Sequence, residues 1–383
     1  MKNNSAEKKL LSVLKRRKKT NNLRQITVVN GIDFCSNDYL GLTQLSLSPN
    51  RVASGSTGSR LISGHSDAIA KLEKDIAAFH GYEAALLFSS GYAANFGLLA
   101  CIADARDAIL SDTLIHASLI DGIRLSYAHK ERFPHNDMHA LETKLEKLSS
   151  QINGQIYVVV ESIYSMDGNE APLQAICELC QKYGAALIVD EAHAIGVYGH
   201  EGRGLVSSLH LEAQVFACVF TFGKAVGMHG AAILGSAVLY DYLVNFCRSF
   251  IFTTAPSPQT VQDTKIAYTR FKTAHEARNL LTTALTSFEE IVKTQIWDNT
   301  YWLPSTSPIQ GLVIPGNTRA KALASHLLSD GYAVKAILSP TVPKGEERLR
   351  ISLHSFNTRN DIEDLAGSLG RFFDKEIFDK ETL

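Results

Sequence analysis

The sequence predicts an α/β protein with a mostly parallel central sheet, helices on both faces of that sheet, and a smaller C-terminal α+β domain. The first observation is that short apolar runs alternate with segments of helical spacing, a pattern typical of strands buried on both faces of a parallel sheet. The second is length, because 383 residues exceed the usual size of a single hydrophobic core. Together these observations favour a large domain and a small one.

The N-terminal segment is strongly basic. The first 24 residues contain nine Lys or Arg residues against Glu7 alone, and Leu10, Leu11 and Leu14 recur at helical spacing. This spacing predicts an amphipathic helix. Nucleic-acid binding is the alternative, but neither interleaved aromatic residues nor a base-reading motif accompanies the charges. A solvated basic face is the better interpretation.

The large domain begins with a helix that has signals at both ends. Ser66 is a typical N-cap, and Gly81 stands where a helix of apolar period would end. Six apolar runs then predict strands. They are Ala85–Phe88, Ala108–Leu110, Ile156–Val160, Ala186–Val189, Val215–Phe220 and Ala231–Leu234.

The C-terminal part has a different pattern. A long helical stretch over residues 259–293 follows Pro256 and Pro258, and three later runs predict strands. Those runs are Gly311–Ile314, Tyr332–Leu338 and Arg348–Leu353. We therefore predict an N-terminal helix and arm in residues 1–40, a large domain in residues 41–265, and a small domain in residues 266–383.

Composition narrows the class of protein. The net charge of −1 gives no overall attraction to nucleic acid or to anionic membranes. No apolar run reaches the ~18–20 residues that span a bilayer, and the polar N-terminus lacks the features of a secretory signal. We therefore expect a cytoplasmic protein. Cys177 and Cys180 form a C-x-x-C pair, but without a second pair this spacing favours two small helical residues over a metal site.

Charged residues follow two of the predicted strands. Asp190 and His193 come at the end of Ala186–Val189, and Lys224 lies just past the end of Val215–Phe220. Carboxyl ends of parallel strands share one edge of a sheet, so these side chains are expected to meet. A lysine amine and a carboxylate that pairs with a ring nitrogen are what pyridoxal phosphate (PLP) requires. A metal site is the weaker alternative, because no third ligand has suitable spacing.

Two loops rich in small residues could hold a phosphate. In Phe88–Asn95 a strand ends, Gly91 permits a tight turn and a helix begins, which places backbone N–H groups and the helix dipole at one point. Tyr92 could cover a cofactor or simply pack. The second loop, Gly55–Gly64, fits neither a Walker nor a dinucleotide pattern. His116 could stack on a flat ring or be a packed core residue.

A series of short motifs runs in order along nearly the whole chain. They are Ser36–Gly41, Gly55–Gly64, Ser90–Asn95, His116–Ser118, Ser165–Gly168, Asp190–His193, Gly202–Gly204, Thr221–Lys224, Phe252–Thr254 and Arg348–Arg350. In these motifs the sequence resembles the α-oxoamine synthases, PLP-dependent enzymes of fold type I, the aspartate aminotransferase-like fold. That resemblance implies a homodimer with active sites shared between subunits.

The resemblance also implies roles for residues around the cofactor. Lys224 would form the Schiff base and later act as general base, and Asp190 would pair with the pyridine nitrogen. His193 would contact the phenolic oxygen, His116 would stack on the ring, and Ser165 would lie beside it.

Further roles concern the phosphate and the substrates. Gly91, Tyr92 and Thr221 would hold the phosphate, whereas Thr253 and Thr254 would reach the phosphate of the neighbouring subunit. Arg350 would bind the amino-acid carboxylate, a geometry that suits a guanidinium. The other substrate-binding positions implied are Arg24, Asn37 and Thr341.

Within the family, three features most resemble the members that condense L-alanine with a pimeloyl thioester in biotin synthesis. They are Arg132–Asp137, the stretch from Ser165 to Leu173, and Phe222 before the Gly-Lys pair. The sequence leaves open whether the thioester is pimeloyl-CoA or a pimeloyl carrier protein. A sister enzyme, such as glycine C-acetyltransferase, is the first alternative. A non-catalytic interaction protein is the second, although every catalytic position carries a reactive residue type.

Overall fold

The computed structural model of the chain describes residues 14–23, 31–44 and 52–381, with side chains described as far as residue 375. The chain forms two compact units. The small unit contains Met1–Ser36, Met166–Gly168 and Leu280–Leu383, and the large unit contains Asn37–Ser165 and Asn169–Asn279. The three-part division at residues 40 and 265 stays a prediction. In the predicted basic segment, residues 14–19 are helical and residues 20–23 are not, whereas residues 1–13 and Arg24 lie outside the described residues.

The strands and α-helices are numbered in chain order. The strands are β1 (Ile32–Asp33), β2 (Ala84–Phe88), β3 (Ala108–Asp112), β4 (His129–Phe133), β5 (Ile156–Glu161), β6 (Ala186–Asp190), β7 (Val215–Thr221), β8 (Ala231–Gly235), β9 (Tyr301–Trp302), β10 (Ile309–Val313), β11 (Tyr332–Ala333), β12 (Lys335–Ile337) and β13 (Arg348–Ser352). The helices are α1 (Asp67–His80), α2 (Gly91–Cys101), α3 (Ala117–Leu125), α4 (Met138–Gln151), α5 (Leu173–Tyr183), α6 (Leu205–Ser208), α7 (Ala237–Phe246), α8 (Arg248–Ile251), α9 (Pro258–Thr273), α10 (His275–Ile291), α11 (Asn317–Ser329) and α12 (Arg359–Glu381).

The large unit is built on a seven-stranded sheet with the order β2-β8-β7-β6-β5-β3-β4. β8 runs antiparallel to both of its neighbours, and the other adjacent strands are parallel. Every residue of β3 and β5 is buried, as expected where helices cover both faces of a sheet. The predicted fold class is confirmed.

All six predicted strands of the large unit are present, each one or two residues longer than its apolar run. The extra residues are often polar, as at Asp112, Glu161 and Asp190. Strand β4 was not predicted from the sequence. It reads His-Lys-Glu-Arg-Phe and lies at the edge of the sheet beside β3. An edge strand has few neighbours to bury its side chains, so it need not be apolar.

The signals at the ends of α1 are confirmed. The Ser66 hydroxyl accepts a hydrogen bond from the Ile69 N–H, and Gly81 adopts a left-handed conformation with φ 78°. The Gly81 N–H donates to the Ala77 carbonyl, which closes the helix in the usual way. The predicted helix over residues 259–293 is instead two helices, α9 and α10, because the backbone leaves helical geometry at Ala274 (ψ 45°).

The small unit contains an antiparallel sheet with the order β12-β13-β10-β9 and a separate parallel pair of β1 and β11. The predicted strand Tyr332–Leu338 is divided between β11 and β12, which lie in different sheets. A buried ion pair between Arg348 and Asp167 ties β13 to the Met166–Gly168 segment.

Cys177 and Cys180 are both buried on α5, as the helical interpretation of this pair predicts. Within the described ranges, no cluster of three or more His, Cys, Asp or Glu side chains is arranged to hold a metal ion. Among the same residues, no helix has both the length and the apolar character needed to cross a membrane.

Candidate active site

One edge of the large sheet gathers most of the predicted site residues. Asp190 ends β6, and its register partner Glu161 ends the neighbouring β5. Thr221 ends β7 and is opposite Ala231, which in turn is opposite Phe88 at the end of β2. Since these strands run in the same direction apart from β8, their carboxyl ends form one polar edge.

Asp190 is held by a chain of hydrogen bonds that ends at His116. The Asn95 amide donates to Asp190 Oδ2 at 2.7 Å and to Ser118 Oγ at 3.0 Å. The Ser118 hydroxyl lies 2.8 Å from His116 Nδ1, which also accepts from the Ser118 N–H at 3.2 Å. The donors and acceptors agree only if Nδ1 is unprotonated, so the remaining proton of a neutral His116 is on Nε2.

His116 presents exposed surface at this edge. Partial burial among protein atoms lowers the pKa of its imidazole below the ordinary value, and the Lys224 charge acts in the same direction against the opposing charge of Asp190. The ring is therefore neutral near pH 7. A neutral, partly exposed imidazole suits stacking on a flat aromatic cofactor.

A second chain of hydrogen bonds starts at Lys224. Its Nζ atom lies 2.8 Å from His193 Nε2, and His193 Nδ1 lies 2.7 Å from the Tyr39 hydroxyl. Tyr39, which is fully buried, donates to Asn37 Oδ1 at 3.0 Å. These bonds form one consistent series if Lys224 donates to Nε2 and the Nδ1–H group donates to Tyr39. The His193 imidazole thus orients the lysine amine, and the Tyr39 hydroxyl holds that imidazole in place.

The start of α2 is suited to an anion. Ser90 caps the helix by accepting from the Ala93 N–H at 3.1 Å, and Gly91 begins the first turn. A methyl group on Gly91 would lie only 3.2 Å from the Thr221 Cβ atom, so the missing side chain keeps this point open. Tyr92 follows and donates to the Asp121 carboxylate. Backbone N–H groups, the helix dipole and the Thr221 hydroxyl therefore converge where a phosphate would be held.

We predict that Gly91→Ala weakens cofactor binding. The added methyl group would force Thr221 or the start of α2 to move, and overpacking of this kind costs about 1–3 kcal/mol. We expect the dissociation constant of PLP, measured by absorbance titration of the apoprotein, to rise about tenfold. Gly370→Ala is the matched control, because a Cβ atom there meets no atom within 4 Å. Equal affinities for the two variants would contradict the assignment of Gly91.

The other predicted residues of the large unit are Ser165, Thr253 and Thr254. Ser165 is buried, and its N–H donates to Glu161 Oε2 at 3.3 Å. Thr253 and Thr254 line a cavity together with Arg60 and Phe250. Their role toward a neighbouring subunit stays a prediction.

The remaining predicted residues belong to the small unit or are not described. Arg350 is buried on β13, and its Nη1 group donates to Ser352 Oγ at 2.8 Å. Thr341 lines a cavity of about 630 Å³ in the small unit. Arg24 lies outside the described residues.

Three residues that complete the site were not singled out from the sequence: Tyr39, Asn95 and Ser118. Each belongs to a motif already noted, within Ser36–Gly41, Ser90–Asn95 or His116–Ser118. Asn95 falls one helical turn after Gly91, on the same side of α2, which is a signal that could have suggested it. No comparable spacing links Tyr39 to His193, which is 154 positions away.

Glu191, next to Asp190, is fully buried and accepts from the Leu205 and Val206 N–H groups at 2.7 and 3.1 Å. Burial raises its pKa from 4.5 to about 7. Between these values the folded state holds a proton that the unfolded state has lost. The free energy of unfolding therefore falls as the pH rises, by about 3 kcal/mol in total.

We predict that Glu191→Gln reduces this pH dependence, because the amide does not titrate, while its carbonyl oxygen can still accept one of the two backbone hydrogen bonds. Urea unfolding at about pH 5 and about pH 7.5 would measure the difference. Glu146→Gln, an exposed change on α4, should leave the wild-type slope unaltered. A slope in Glu191→Gln as steep as in the wild type would contradict the prediction.

The site fits PLP on structural grounds. Lys224 offers an amine, Asp190 a carboxylate, His116 a neutral ring and α2 an open, capped N-terminus, all within the large unit. The polar residues behind them, Asn95 and Tyr39, are buried and hold this arrangement through hydrogen bonds.

Comparison with known sequences gives consistent matches. The family model described as aminotransferase class I and II matches residues 29–369. An 8-amino-7-oxononanoate synthase of Marinobacter nauticus is 40% identical over 89% of this chain and 86% of its own length. The enzyme of the same name from an Enterobacter species is 37% identical, over 95% of this chain and 98% of its own length.

Solved structures agree with the sequence matches. A serine palmitoyltransferase from S. paucimobilis, in a complex that contains PLP and myriocin, has a TM-score of 0.86 at 26% identity, covering 97% of this chain and 100% of its own. An 8-amino-7-oxononanoate synthase from Francisella tularensis has a TM-score of 0.74 at 29% identity, covering 91% and 99%.

Proposed function

Because the chain belongs to the aminotransferase class I and II family, we propose that it condenses L-alanine with a pimeloyl thioester to form 8-amino-7-oxononanoate, CO2 and a free thiol. PLP is its cofactor, and the chain is a PLP-dependent acyltransferase related to enzymes of biotin biosynthesis. The choice of substrates is the part we propose. The observation that carries it is the series of relatives at 36–40% identity that share one name, 8-amino-7-oxononanoate synthase.

Bound PLP supplies an aldehyde and an electron-withdrawing ring that stabilises negative charge at the amino-acid Cα atom. The residues of the chain provide the rest. Lys224 takes the Cα proton, and His193, 2.8 Å from its Nζ atom, orients the amine and accepts hydrogen bonds from it. Asp190, held by Asn95, would pair its negative charge with the ring nitrogen of the cofactor. A carbanion reaction requires both a base to remove the proton and a separate charged group that keeps the ring electron-withdrawing.

Recognition of the amino acid is assigned to Arg350. Its guanidinium group is buried on β13 and aligned by Ser352 Oγ at 2.8 Å. A guanidinium fixed in this way can bind a carboxylate through two parallel hydrogen bonds. Thr341, Asn37 and Arg24 remain the other proposed substrate contacts.

The cavity of the small unit supports an anionic acyl donor. Leu23, Ala324 and Val334 contribute apolar surface, and Arg17, Lys321 and Lys335 contribute positive charge. A thioester with an apolar chain and a free carboxylate or phosphate groups has matching chemistry. We expect its KM to rise with salt concentration, since exposed charge pairs are screened.

A panel of amino acids and acyl thioesters tests the proposal, with release of CO2 and of free thiol as readouts. We expect robust turnover only for alanine with pimeloyl-CoA or a pimeloyl carrier protein. Turnover of glycine with acetyl-CoA, without turnover of alanine and a pimeloyl thioester, would overturn it. Serine with a long acyl-CoA is the second pairing to include, because the structural match to serine palmitoyltransferase has a TM-score of 0.86.

We also propose a homodimer with shared sites. The exposed aromatic side chain of Phe252 and the exposed Ile62 lie on the large unit beside the loops that carry Thr253 and Gly64, and apolar surface of this kind favours a protein partner. Mixed dimers of Lys224→Ala and Thr253→Ala/Thr254→Ala subunits test the arrangement. If the threonines act across the interface, mixing should restore activity that neither parent variant has.

A further inference from the structure

Glu161 is a buried carboxyl group for which the proposed reaction has no role. It ends β5 beside Asp190 and is 2% exposed. The Ser165 N–H donates to its Oε2 atom at 3.3 Å, and the nearby His116 backbone N–H acts to lower the pKa of the same carboxyl group. Its Oε1 atom has no hydrogen-bond partner in the part of the chain that the structure describes. Glu161 thus holds the main chain at Ser165 and lies near that of His116, two residues expected to face the cofactor.

Two buried carboxyl groups on adjacent strands cannot both ionise without a large cost. Asp190 accepts from the Asn95 amide at 2.7 Å and from the Ala192 N–H at 2.9 Å, and such donors stabilise a carboxylate. Burial first, and then the charge of Asp190, raise the pKa of Glu161 well above its usual range, against the opposing effects of Lys224 and the two backbone N–H groups. Glu161 is therefore the protonated member of the pair.

The hydrogen bonds also indicate where the proton is. Oε2 accepts, as a carbonyl oxygen would, and Oε1 is the atom left to carry hydrogen. In this neutral form, Oε2 can still accept the hydrogen bond from the backbone, and the group adds no negative charge beside Asp190.

We propose that Glu161 is a positioning residue of the cofactor site, a neutral carboxylic acid whose carbonyl oxygen fixes the main chain at Ser165 beside His116 and whose proton leaves the negative charge on Asp190. This inference rests on the proposed function only through its cofactor, not through the choice of substrates.

Two substitutions test the positioning role by cofactor affinity. Glu161→Gln keeps a neutral side chain with a carbonyl acceptor, so the PLP dissociation constant of the apoprotein should stay within about threefold of the wild type. Glu161→Leu has similar size but no acceptor and leaves the N–H group of the buried Ser165 without this partner, so the constant should rise about tenfold or more. Urea unfolding of each apoprotein would confirm that both variants fold.

The charge state has its own spectroscopic test. Infrared spectra of protein labelled with carboxyl-¹³C glutamate should show a carboxylic acid band at neutral pH that disappears in Glu161→Gln. The exposed Glu146→Gln is the matched control and should remove only carboxylate absorption. Because this measurement needs neither cofactor nor substrate, it also decides the matter if Glu161→Leu does not fold.

The outcomes separate cleanly. A Glu161→Gln protein that loses affinity as Glu161→Leu does, or a spectrum in which no acid band depends on Glu161, would show an ionised group and overturn the inference. Wild-type affinity in Glu161→Leu would overturn the positioning role. Failure of alanine and pimeloyl thioesters to react would instead count against the proposed function, and would leave these results unchanged.

Discussion

Replacement of Lys224 by alanine should abolish turnover and leave no linkage to PLP that borohydride can reduce. The reason is that, in the proposed function, Lys224 provides both the amine that reacts with the cofactor aldehyde and the base that moves the Cα proton. Its Nζ atom lies 2.8 Å from His193 Nε2, and the series through Tyr39 keeps it in place. Steady-state assays and mass spectrometry after borohydride treatment measure the two effects separately.

The matched control is Lys74→Ala, which removes an exposed lysine from α1. This variant should keep wild-type activity, and borohydride should reduce its linkage between PLP and Lys224. Residual turnover of Lys224→Ala well above the uncatalysed rate, or a reduced adduct at another lysine, would disprove the assignment.

Asp190→Asn should lower kcat by at least about 100-fold, comparable to the loss of a preorganised electrostatic group in other active sites. An amide cannot hold the positive charge of a protonated ring nitrogen. It would also place a second amide against the Asn95 donor that now lies 2.7 Å from Asp190 Oδ2. The affinity for PLP should fall less than kcat does, because the phosphate site that we propose at α2 is unchanged.

Asp137→Asn makes the same chemical change at the N-cap of α4, where both residues cap well. Its kcat should equal that of the wild type. If Asp190→Asn retained most of its kcat, the ring nitrogen would need another partner, and the orientation proposed for the cofactor would be wrong.

The parts of the fold that follow from local pattern were predictable from the sequence. Buried strands such as β5 and β6 are continuous apolar runs, and the Ser66 and Gly81 caps have local chemical causes. The edge strand β4 was not predictable, because its charged residues have no apolar period. The break at Ala274 between α9 and α10 also gave no local signal.

In the candidate site too, features with a local sequence pattern were predictable and long-range contacts were not. Asp190 and Lys224 follow apolar strands, so their sheet edge could be predicted from the order of strands alone. The contacts from Tyr39 to His193 and from Asn95 to Asp190 join residues 154 and 95 positions apart. Such contacts depend on the packed fold rather than on spacing, which is why motif positions were identified but their hydrogen-bond partners were not.

The path of the chain has a consequence for truncation. Met166–Gly168 belongs to the small unit although both flanking segments belong to the large one. The Arg348–Asp167 ion pair secures this crossing, and Gly168, with φ 75°, leaves no room for a side chain beside the Ile309 carbonyl. A fragment that starts at residue 280 would lack this tripeptide and the strand β1. No single cut can therefore yield either unit whole, and gene fragments meant for domain exchange must be divided at several points.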